Sequence, residues 1–390
     1  MLKAYFEPLD LVVLENGGDD LPKDSFGKHI SAYTQPDRFP DLEGVKIAIF
    51  GVGDDRGAGD NTGCAKGMDE IREKLYKLKL HQSPVSVVDF GNLRPGNTID
   101  DTYAAISVIV SELIPLKIIP VIIGGSHDLT YGHYSAYKRL EQIINIVSID
   151  SKFDLGQPDD ELNSETFLGK IILEQPNYLF NFSNIGYQTY FVGTEGVELM
   201  KKLFFDTFRL GQVRGDIQET EPIVRNADML TVDISSIRQS DAPGHVNASP
   251  NGFYGEEICQ IMLYSGVSDK VSGIGFYEYN PTYDRNGQTA HLIAQMLWFF
   301  IEGVSNRKID TPSSNPSSYI TYRVAVKNVV QELIFIKSTK TDRWWLKLPM
   351  EAGKNRYISH HLVPCSYRDY QQACNDEMPD RLWNALQKIV

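Results

Sequence analysis

Short apolar runs alternate with segments of helical periodicity, and this alternation constrains the fold of the chain more than any other feature. Seven runs of strand length recur, at 45–50, 86–90, 118–123, 144–149, 189–193, 229–234 and 271–278. Apolar residues lie at helical spacing in several intervening stretches, such as 68–78, 102–113 and 195–205. Repeated strand–helix–strand units favour parallel pairing with helices on each side. The sequence therefore predicts an α/β fold with three layers: a mostly parallel central sheet with helices on both faces.

Three regions are expected along the 390 residues. Residues 1–44 are irregular and rich in turn residues, which predicts an N-terminal extension on the surface. Residues 45–308 are predicted to form the α/β domain, and this domain ends with a long buried helix over 287–303. Residues 309–390 begin with a loop rich in Pro and Ser and continue with strand-like segments and a helix over 367–390. We expect them to form a C-terminal appendage packed on the main domain.

Charge and composition exclude several classes of partner. The net charge of −13 argues against nucleic acid and anionic membrane surfaces, because both require clustered Lys and Arg. No apolar run is long enough to span a bilayer, and the first residues lack the pattern of a secretory signal. The four cysteines are scattered without a CxxC pair, which indicates reduced thiols rather than a thiolate zinc site. We therefore expect a cytoplasmic protein.

Polar residues follow three of the predicted strands where each strand ends. The third run continues into Gly-Gly-Ser-His-Asp, and the two glycines allow a tight turn with close backbone approach. The fourth continues into an Asp-x-Lys-x-Asp pattern, whose alternation places three charged side chains on one side of an extended chain. The sixth continues into Asp-x-Ser. The residues that carry these patterns are His127, Asp150, Lys152, Asp154, Asp233 and Ser235.

These strand ends together predict a metal site. The carboxyl ends of parallel strands share one edge of a sheet, where ligands bind. Imidazole and carboxylate groups suit a dication such as Mn²⁺, Fe²⁺ or Zn²⁺. Each pattern alone has a plainer interpretation, with His127 as a turn residue and Asp150 or Asp154 as helix caps. Their order along the chain, each after a β-run and separated by helical segments, favours the metal site.

Five segments give the chain a resemblance to the ureohydrolases, the superfamily of arginase, agmatinase and formiminoglutamase. They occur in the order of the family between residues 45 and 305. Residues 63–72 are similar to the motif that ends in G-P-x-x-I-R, and 120–127 to P-x-x-x-G-G-D-H with Ser126 in place of Asp. Residues 149–154 are similar to D-A-H-x-D, 231–244 to S-F-D-x-D…P-G, and 278–281 to E-x-N-P.

The resemblance implies an arginase-like fold and a site in which two Mn²⁺ ions share a bridging hydroxide that attacks a guanidinium or amidine carbon. The family's ligands for one ion are all present: His127, Asp150, Asp154 and Asp233. Asp150 and Asp233 would also bind the second ion. Its two remaining ligands, a histidine and an aspartate, are replaced here by Lys152 and Ser235.

The resemblance also assigns catalytic roles to Asp150, which would contact both ions, and to Glu278, which would hold the cationic group of the substrate. The family's proton-shuttle histidine aligns loosely with Leu168, so its imidazole is absent. The implied partner is a small-molecule amidine or guanidine substrate. The implied assembly is a homo-oligomer, either a trimer or a hexamer.

The substitutions change the charge of the predicted pocket. Three aspartates facing the ammonium of Lys152 leave a charge that one dication neutralises, and an unpaired buried charge is costly. We therefore expect Lys152 to occupy the region of the second ion and to pair with Asp150 and Asp233. The expected cofactor is one divalent metal, with Mn²⁺ first, and a metal-free protein is the alternative.

Two hypotheses for the function follow. The first is a metal-dependent hydrolase of a linear amidine or guanidine C–N bond, formiminoglutamase-like first and arginase- or agmatinase-like next. The alternative is a non-catalytic protein of ureohydrolase fold, with a degenerate metal site, that binds a ligand or a partner. The complete set for one ion and Glu278 favour the first hypothesis. Lys152, Ser235 and Leu168 favour the second.

Other signals receive no catalytic role. Residues 51–57 follow a strand but fail the G-x-G-x-x-G pattern at Arg56, so a loop at the pocket rim is expected. His360 and His361 are interpreted as a surface pair. Asp241 and His245 follow the sixth strand close to the predicted pocket, but no role is assigned to them.

Overall fold

A ten-stranded sheet runs through the centre of the molecule. The computed structural model describes residues 2–10, 21–80, 85–312, 316–327, 332–348 and 360–389. The strands of this sheet are β1 (Phe6–Glu7), β2 (Ser31–Ala32), β3 (Ile47–Val52), β4 (Val87–Leu93), β5 (Ile119–Ile123), β6 (Ile144–Ile149), β7 (Leu179–Tyr187), β8 (Asp206–Arg209), β9 (Met229–Asp233) and β10 (Gly273–Tyr277). Their spatial order is β1-β4-β3-β5-β10-β9-β6-β7-β8, with β2 also paired to β4.

Pairing in this sheet is parallel for every pair except β1 with β4, within the described residues. The helices that surround it are α1 (Met68–Lys77), α2 (Ile99–Leu113), α3 (Leu129–Arg139), α4 (Phe167–Leu173), α5 (Thr194–Lys202), α6 (Leu210–Gly215), α7 (Thr220–Arg225), α8 (Gly255–Val267) and α9 (Gln288–Ser305).

Alternating side chains of β3 show that helices cover both faces. Ile47 and Ile49 belong to one buried cluster together with residues of α1, α8 and α9. Ala48 and Phe50 point the other way and belong to a cluster with residues of α2 and α3. A strand buried on both faces is apolar along its whole length, as β3 is. The predicted three-layer α/β fold is confirmed.

The functional region lies beyond the ends of four neighbouring strands. β5, β10, β9 and β6 are adjacent in that order, and all four run parallel. Their ends are in register, because Tyr277 pairs with Asp233 and Ile149 pairs with Val232. Residues that follow these strands therefore meet at one edge of the sheet, which is where ligands bind in such folds.

One of the seven predicted strands is wrong. The run at 189–193 forms a turn before α5, and the strands of that region are β7 and β8 instead. Tyr190 and Phe191 gave the run its apolar character, but they are 63% and 42% exposed and pack on each other. The polar residues of β7, Asn181, Ser183 and Asn184, are buried and concealed its strand pattern.

The segments outside the central α/β region are tied to it. β1 and β2 of the predicted N-terminal extension pair with β4, whereas residues 11–20 lie outside the described residues. After α9, the chain forms an antiparallel sheet and two helices: β11 (Tyr319–Val324), β12 (Leu333–Ser338), β13 (Trp344–Lys347), β14 (Leu362–Cys365), α10 (Tyr367–Cys374) and α11 (Asp380–Ile389). The single helix expected over 367–390 is two helices, because Pro379 interrupts the pattern. The division into three regions stays a prediction.

Contacts between the C-terminal unit and the sheet domain are specific. The Arg225 guanidinium donates to the carbonyl oxygens of Trp344 and Cys365, at 3.1 and 3.3 Å from Nη2. His360 is 4% exposed and stacks on Phe180 of β7, with ring centroids 4.3 Å apart. The interpretation of His360 as a surface residue is therefore wrong, because the chain lays it against the main sheet. Within the described residues, the helices are all too short or too polar to cross a bilayer.

Candidate metal site

Four side chains meet beyond the carboxyl ends of β5, β6 and β9. His127 Nδ1 lies 3.4 Å from Asp150 Oδ2, 3.3 Å from Asp154 Oδ2 and 3.5 Å from Asp233 Oδ2. The ligand atoms of His127, Asp150 and Asp233 lie within 4.8 Å of one another. Atoms that bind one tetrahedral ion at about 2.1 Å are themselves separated by roughly 3.4 Å. The spacing therefore matches the first coordination shell of a single ion.

Backbone groups orient two of the carboxylates. Asp150 Oδ1 accepts a hydrogen bond from the backbone N–H of Lys152 at 2.8 Å. Asp233 Oδ1 accepts from the backbone N–H of Ser235 at 2.6 Å. Each aspartate thus caps the residues that follow it with one oxygen and turns Oδ2 toward His127. The capping interpretation of Asp150 is confirmed for Oδ1, and the ligand role of Oδ2 stays a prediction.

A glycine turn places His127. Gly124 and Gly125 have φ of 88° and 76°, and a Cβ on Gly125 would lie 2.3 Å from Leu129 Cδ1. Glycine is required at such positions because it has no side chain to clash. Beyond the turn, His127 Nε2 lies 2.8 Å from Thr231 Oγ1, which in turn contacts Thr130. With Nε2–H donating to Thr231, the lone pair on Nδ1 faces the carboxylates, as a metal-binding imidazole requires.

The inward atoms are buried without hydrogen-bond partners. His127 Nδ1, Asp150 Oδ2 and Asp154 Oδ2 are inaccessible and make no hydrogen bond among the described residues. Burial, with the carboxylates of Asp154 and Asp233, raises the pKa of Asp150 well above its usual value. Burial disfavours the imidazolium of His127, but the facing carboxylates raise the pKa of His127 well above its usual value. Both pKa shifts reflect the repulsion among buried carboxylates, which a positive charge relieves. A dication bound at this point would interact favourably with all these atoms.

Glu278 follows β10 and lies beside the cluster. Its Oε1 accepts from the backbone N–H of His127 at 2.7 Å, and its Oε2 accepts from Asn61 Nδ2 at 2.7 Å. Burial, reinforced by the charge of Asp233, raises the pKa of Glu278 to about 8. Glu278 and Asp154 have φ of 69° and 49°, a left-handed conformation that is uncommon outside glycine and recurs at functional sites.

The predicted pairing of Lys152 is wrong. Its ammonium forms an ion pair with Glu165, at 2.5 Å from Nζ to Oε1, instead of with Asp150 and Asp233. The reason is that β6 ends at Ile149, so strand alternation does not extend to Lys152. Its backbone is held by Asp150 Oδ1 and by Asn184 Nδ2, and its side chain extends to the rim. Three carboxylates therefore face His127, while the direct ion pair of Lys152 is with Glu165.

Groups for a second ion are not assembled at this site among the described residues. Ser235 Oγ lies 3.4 Å from Ser151 Oγ, and a neutral hydroxyl pair is a poor substitute for a carboxylate. Lys152 carries a positive charge and cannot serve as a ligand in that form. The four donors around His127 fit one dication.

A cavity of about 690 Å³ opens above Asp154, Asp233 and Glu278. The rim loop expected over 51–57 contributes Arg56 and Gly57 to its wall. The floor is acidic and the opening faces solvent, so a small polar molecule can reach the cluster.

Three other residues named from the sequence lie in different surroundings in the structure. Leu168 is fully buried in an apolar cluster and cannot act as a proton carrier. His245 lines the cavity, with Nε2 3.8 Å from Glu278 Oε2. Asp241 does not line this cavity, and it accepts hydrogen bonds from Arg238 and from Gly255 at the start of α8. The position of His245 directly after Pro243-Gly244, which end the motif of the sixth strand, was a signal that the sequence offered.

Two further residues were not identified from the sequence. Asn61 supports Glu278, and Thr231 supports His127. Asn61 ends a short 3₁₀ helix, Gly59–Asn61, whose position the strand pattern does not give. Thr231 lies inside β9 and looks like an ordinary strand residue.

Comparison with known proteins identifies relatives of the whole α/β region. Residues 45–301 match the model of the arginase family. A formimidoylglutamase of Streptococcus gordonii is 25% identical over 331 residues, which cover 77% of this chain and 98% of that protein. The crystal structure of formimidoylglutamase from Bacillus subtilis has a TM-score of 0.66 at 19% identity, covering 76% of this chain and 97% of that one. The formiminoglutamase of Trypanosoma cruzi, solved with Mn²⁺, has a TM-score of 0.63 at 19% identity, covering 69% and 96%.

Proposed function

This chain belongs to the arginase family, and we propose that it is a metal-dependent hydrolase of the C–N bond of a linear amidine. Formimidoyl-glutamate is the first candidate substrate, because relatives that are 25–27% identical over the aligned residues are formimidoylglutamases. Arginine and agmatine, which carry a guanidine, are the next candidates.

One observation carries the proposal: buried, unpartnered ligand atoms converge on a single point. His127, Asp150, Asp154 and Asp233 would hold one divalent ion there, with Mn²⁺ as the first choice. Such an ion, when bound, supplies Lewis-acid activation for attack of water on the amidine carbon. Orienting three buried polar atoms inward without hydrogen-bond partners is costly unless a cation joins them.

Glu278 is suited to hold the amidine. An amidinium is a planar cation, and its charge would favour the ionised form of Glu278, whose carboxylate then matches it through charge-assisted hydrogen bonds. Asn61 and the backbone of His127 fix the carboxylate of Glu278, so that its remaining lone pairs have defined directions. The substrate carbon would then lie between Glu278 and the carboxylate cluster, above which the cavity opens.

His245 is suited to deliver a proton to the leaving nitrogen. Its Nδ1 accepts the backbone N–H of Asn247 at 3.0 Å, so the neutral ring carries its proton on Nε2, toward Glu278. Burial lowers the pKa of His245, which favours this neutral form. In the reaction a C–O bond to water forms, the C–N bond breaks, and the released amine takes up a proton.

The test compares hydrolysis by purified protein supplied with Mn²⁺. Formimidoyl-glutamate, arginine and agmatine are incubated separately, and the released amine or ammonia is measured together with the metal content. We expect turnover of formimidoyl-glutamate first. Asp233→Asn retains an acceptor for the backbone of Ser235 but removes the ligand charge, so kcat/KM should fall by about 100-fold or more. Asp100→Asn, at an exposed aspartate of α2, is the matched control and should change it by less than about twofold.

A non-catalytic family member is the second candidate. The burial of Leu168 in the core favours it, because the position that aligns with a proton carrier has no access to the cavity. Metal-loaded protein that binds one ion but hydrolyses none of the three compounds would establish this alternative and overturn the proposed reaction.

A further inference from the structure

The wall of the cavity offers two permanently cationic side chains among the described residues, Arg56 and Lys152. The guanidinium of Arg56 is already engaged. It donates to Asp54 from Nε and Nη2, at 2.9 and 2.6 Å, and to the carbonyl oxygen of Asn97 from Nη1 at 3.0 Å. Arg56 therefore shapes the rim and has little remaining capacity to bind a ligand.

In contrast to Arg56, the ammonium of Lys152 retains hydrogen-bond donors for a ligand. An ammonium has three donors, and the structure shows one hydrogen bond from it, to Glu165. The side chains of Lys152 and Glu165 are 42% and 68% exposed. An ion pair in such exposed surroundings is weak, because water and salt screen it. A carboxylate that arrives on a ligand can therefore displace Glu165 at little cost.

Two hydrogen bonds hold the backbone of Lys152 in place beside the carboxylate cluster. Its backbone N–H donates to Asp150 Oδ1 at 2.8 Å, and its carbonyl oxygen accepts from Asn184 Nδ2 at 2.7 Å. The ammonium thus lies at one side-chain length from the cluster, on the wall of the same cavity. Glu278 and Lys152 both line this cavity, so a molecule whose amidine reaches Glu278 can extend its tail toward Lys152.

We propose that Lys152 is a specificity-determining residue that binds the tail carboxylate of the substrate, and that Glu165 occupies its ammonium until that carboxylate arrives. This inference rests on the proposed function and narrows it. The substrate class is an amidine with a negatively charged tail, such as a formimidoyl amino acid. A guanidine with a cationic tail, such as agmatine, would be repelled by Lys152.

The first test measures binding without turnover. Protein saturated with Mn²⁺ is titrated with L-glutamate, which has the tail but no amidine, and with formamidine, which has the amidine but no tail. Lys152→Met keeps the length of the stem and removes the charge, so it should weaken L-glutamate binding by about tenfold. Binding of formamidine should stay within about twofold. Metal content is measured in parallel to show that the ion is retained.

Glu165 supplies the complementary variant. Glu165→Gln removes the competing carboxylate, so L-glutamate should bind about three- to tenfold more tightly. Glu161→Gln removes another carboxylate from the same wall, which forms no ion pair with Lys152 in the structure, and it should have a smaller effect. Equal effects of the two Gln variants would mean that general acidity of the wall, and not the Lys152–Glu165 pair, controls the binding.

The kinetic arm separates this inference from the proposed function. With formimidoyl-glutamate, Lys152→Met should raise KM by about tenfold and leave kcat within about threefold, since the tail is remote from the bond that breaks. Turnover by wild type with an unchanged KM in Lys152→Met would overturn the role of Lys152 and leave the hydrolase intact. Absence of turnover in wild type would overturn the hydrolase, while the L-glutamate titration would still decide on Lys152. If wild type shows no binding of L-glutamate at millimolar concentration, the role of Lys152 is also rejected.

Discussion

The candidate site has two halves that start from the same strand ends and differ in what their side chains do. In the ligand half, which consists of His127, Asp150, Asp154 and Asp233, inward atoms are buried and three of them make no hydrogen bond. In the altered half, which consists of Lys152 and Ser235, the ammonium reaches an exposed glutamate and the hydroxyl lies beside another serine. The ligand half turns an imidazole and carboxylates toward one point, whereas the altered half contributes an ammonium paired with Glu165 and a neutral hydroxyl.

The main chain explains how one half can change without loss of the other. The backbone N–H groups of Lys152 and Ser235 hold Asp150 and Asp233 in place. These two positions therefore serve the ligand half through backbone atoms, which any residue except proline provides. Their side chains are free to differ, so a two-ion arrangement can become a one-ion arrangement with the first ion's ligands undisturbed.

The largest effect is expected from a change in the ligand half. Asp150→Asn keeps an acceptor for the N–H of Lys152 but removes the charge beside His127, and we expect the affinity for Mn²⁺ to fall by more than about 100-fold. Titration calorimetry of metal-depleted protein measures this. Asp100→Asn is the control. Unchanged affinity in Asp150→Asn would show that the two halves do not differ as described.

A double variant should convert the altered half into a binding site for a second ion. Lys152→His together with Ser235→Asp supplies an imidazole and a carboxylate beside Asp150 and Asp233, and it removes a positive charge. The expected result is an increase in bound Mn²⁺ from about one to about two equivalents per chain. Elemental analysis after dialysis gives the count. Two equivalents in the wild-type protein would mean instead that the altered half already binds an ion.

A moderate effect is expected from the residue that orients His127. Thr231→Val preserves the shape of the side chain and removes the hydroxyl that contacts Nε2. Loss of such an orienting partner lowers metal affinity by about tenfold. Thr130→Val, one hydrogen bond further from His127, is the matched control and should have a smaller effect. If both variants weaken Mn²⁺ binding equally, loss of packing rather than of orientation is the cause.

The sequence predicted the sheet and the strand ends correctly, because these depend on periodicity. It also named the residues that the structure gathers around His127, and their role as metal ligands stays a prediction. It predicted the pairing of Lys152 incorrectly, since the rule of alternation was extended past Ile149, where the strand ends. It placed a strand at 189–193 because Tyr190 and Phe191 are apolar, yet the structure exposes them. Periodicity predicts helices and strands. Residues outside these elements, such as Lys152, are positioned by hydrogen bonds that local sequence patterns do not reveal.

The contacts of His245 and Asn61 with Glu278 could not be predicted from the sequence for the same reason. His245 lies in a loop and Asn61 in a short 3₁₀ helix, and both contact Glu278 across more than 30 positions of sequence. Loop geometry depends on the assembled sheet edge, so the sequence could mark His245 as near the pocket but could not give it a contact.

The smallest effect is expected from Ser235→Ala. The hydroxyl of Ser235 lies 3.4 Å from Ser151 Oγ and makes no contact with the ligand atoms in the described residues, whereas its backbone N–H holds Asp233. Alanine retains that N–H, so the affinity for Mn²⁺ should change by less than about threefold. Calorimetry under the conditions used for Asp150→Asn makes the two values comparable. A loss approaching that of Asp150→Asn would assign the Ser235 hydroxyl to the ligand half and would require the boundary between the halves to be redrawn.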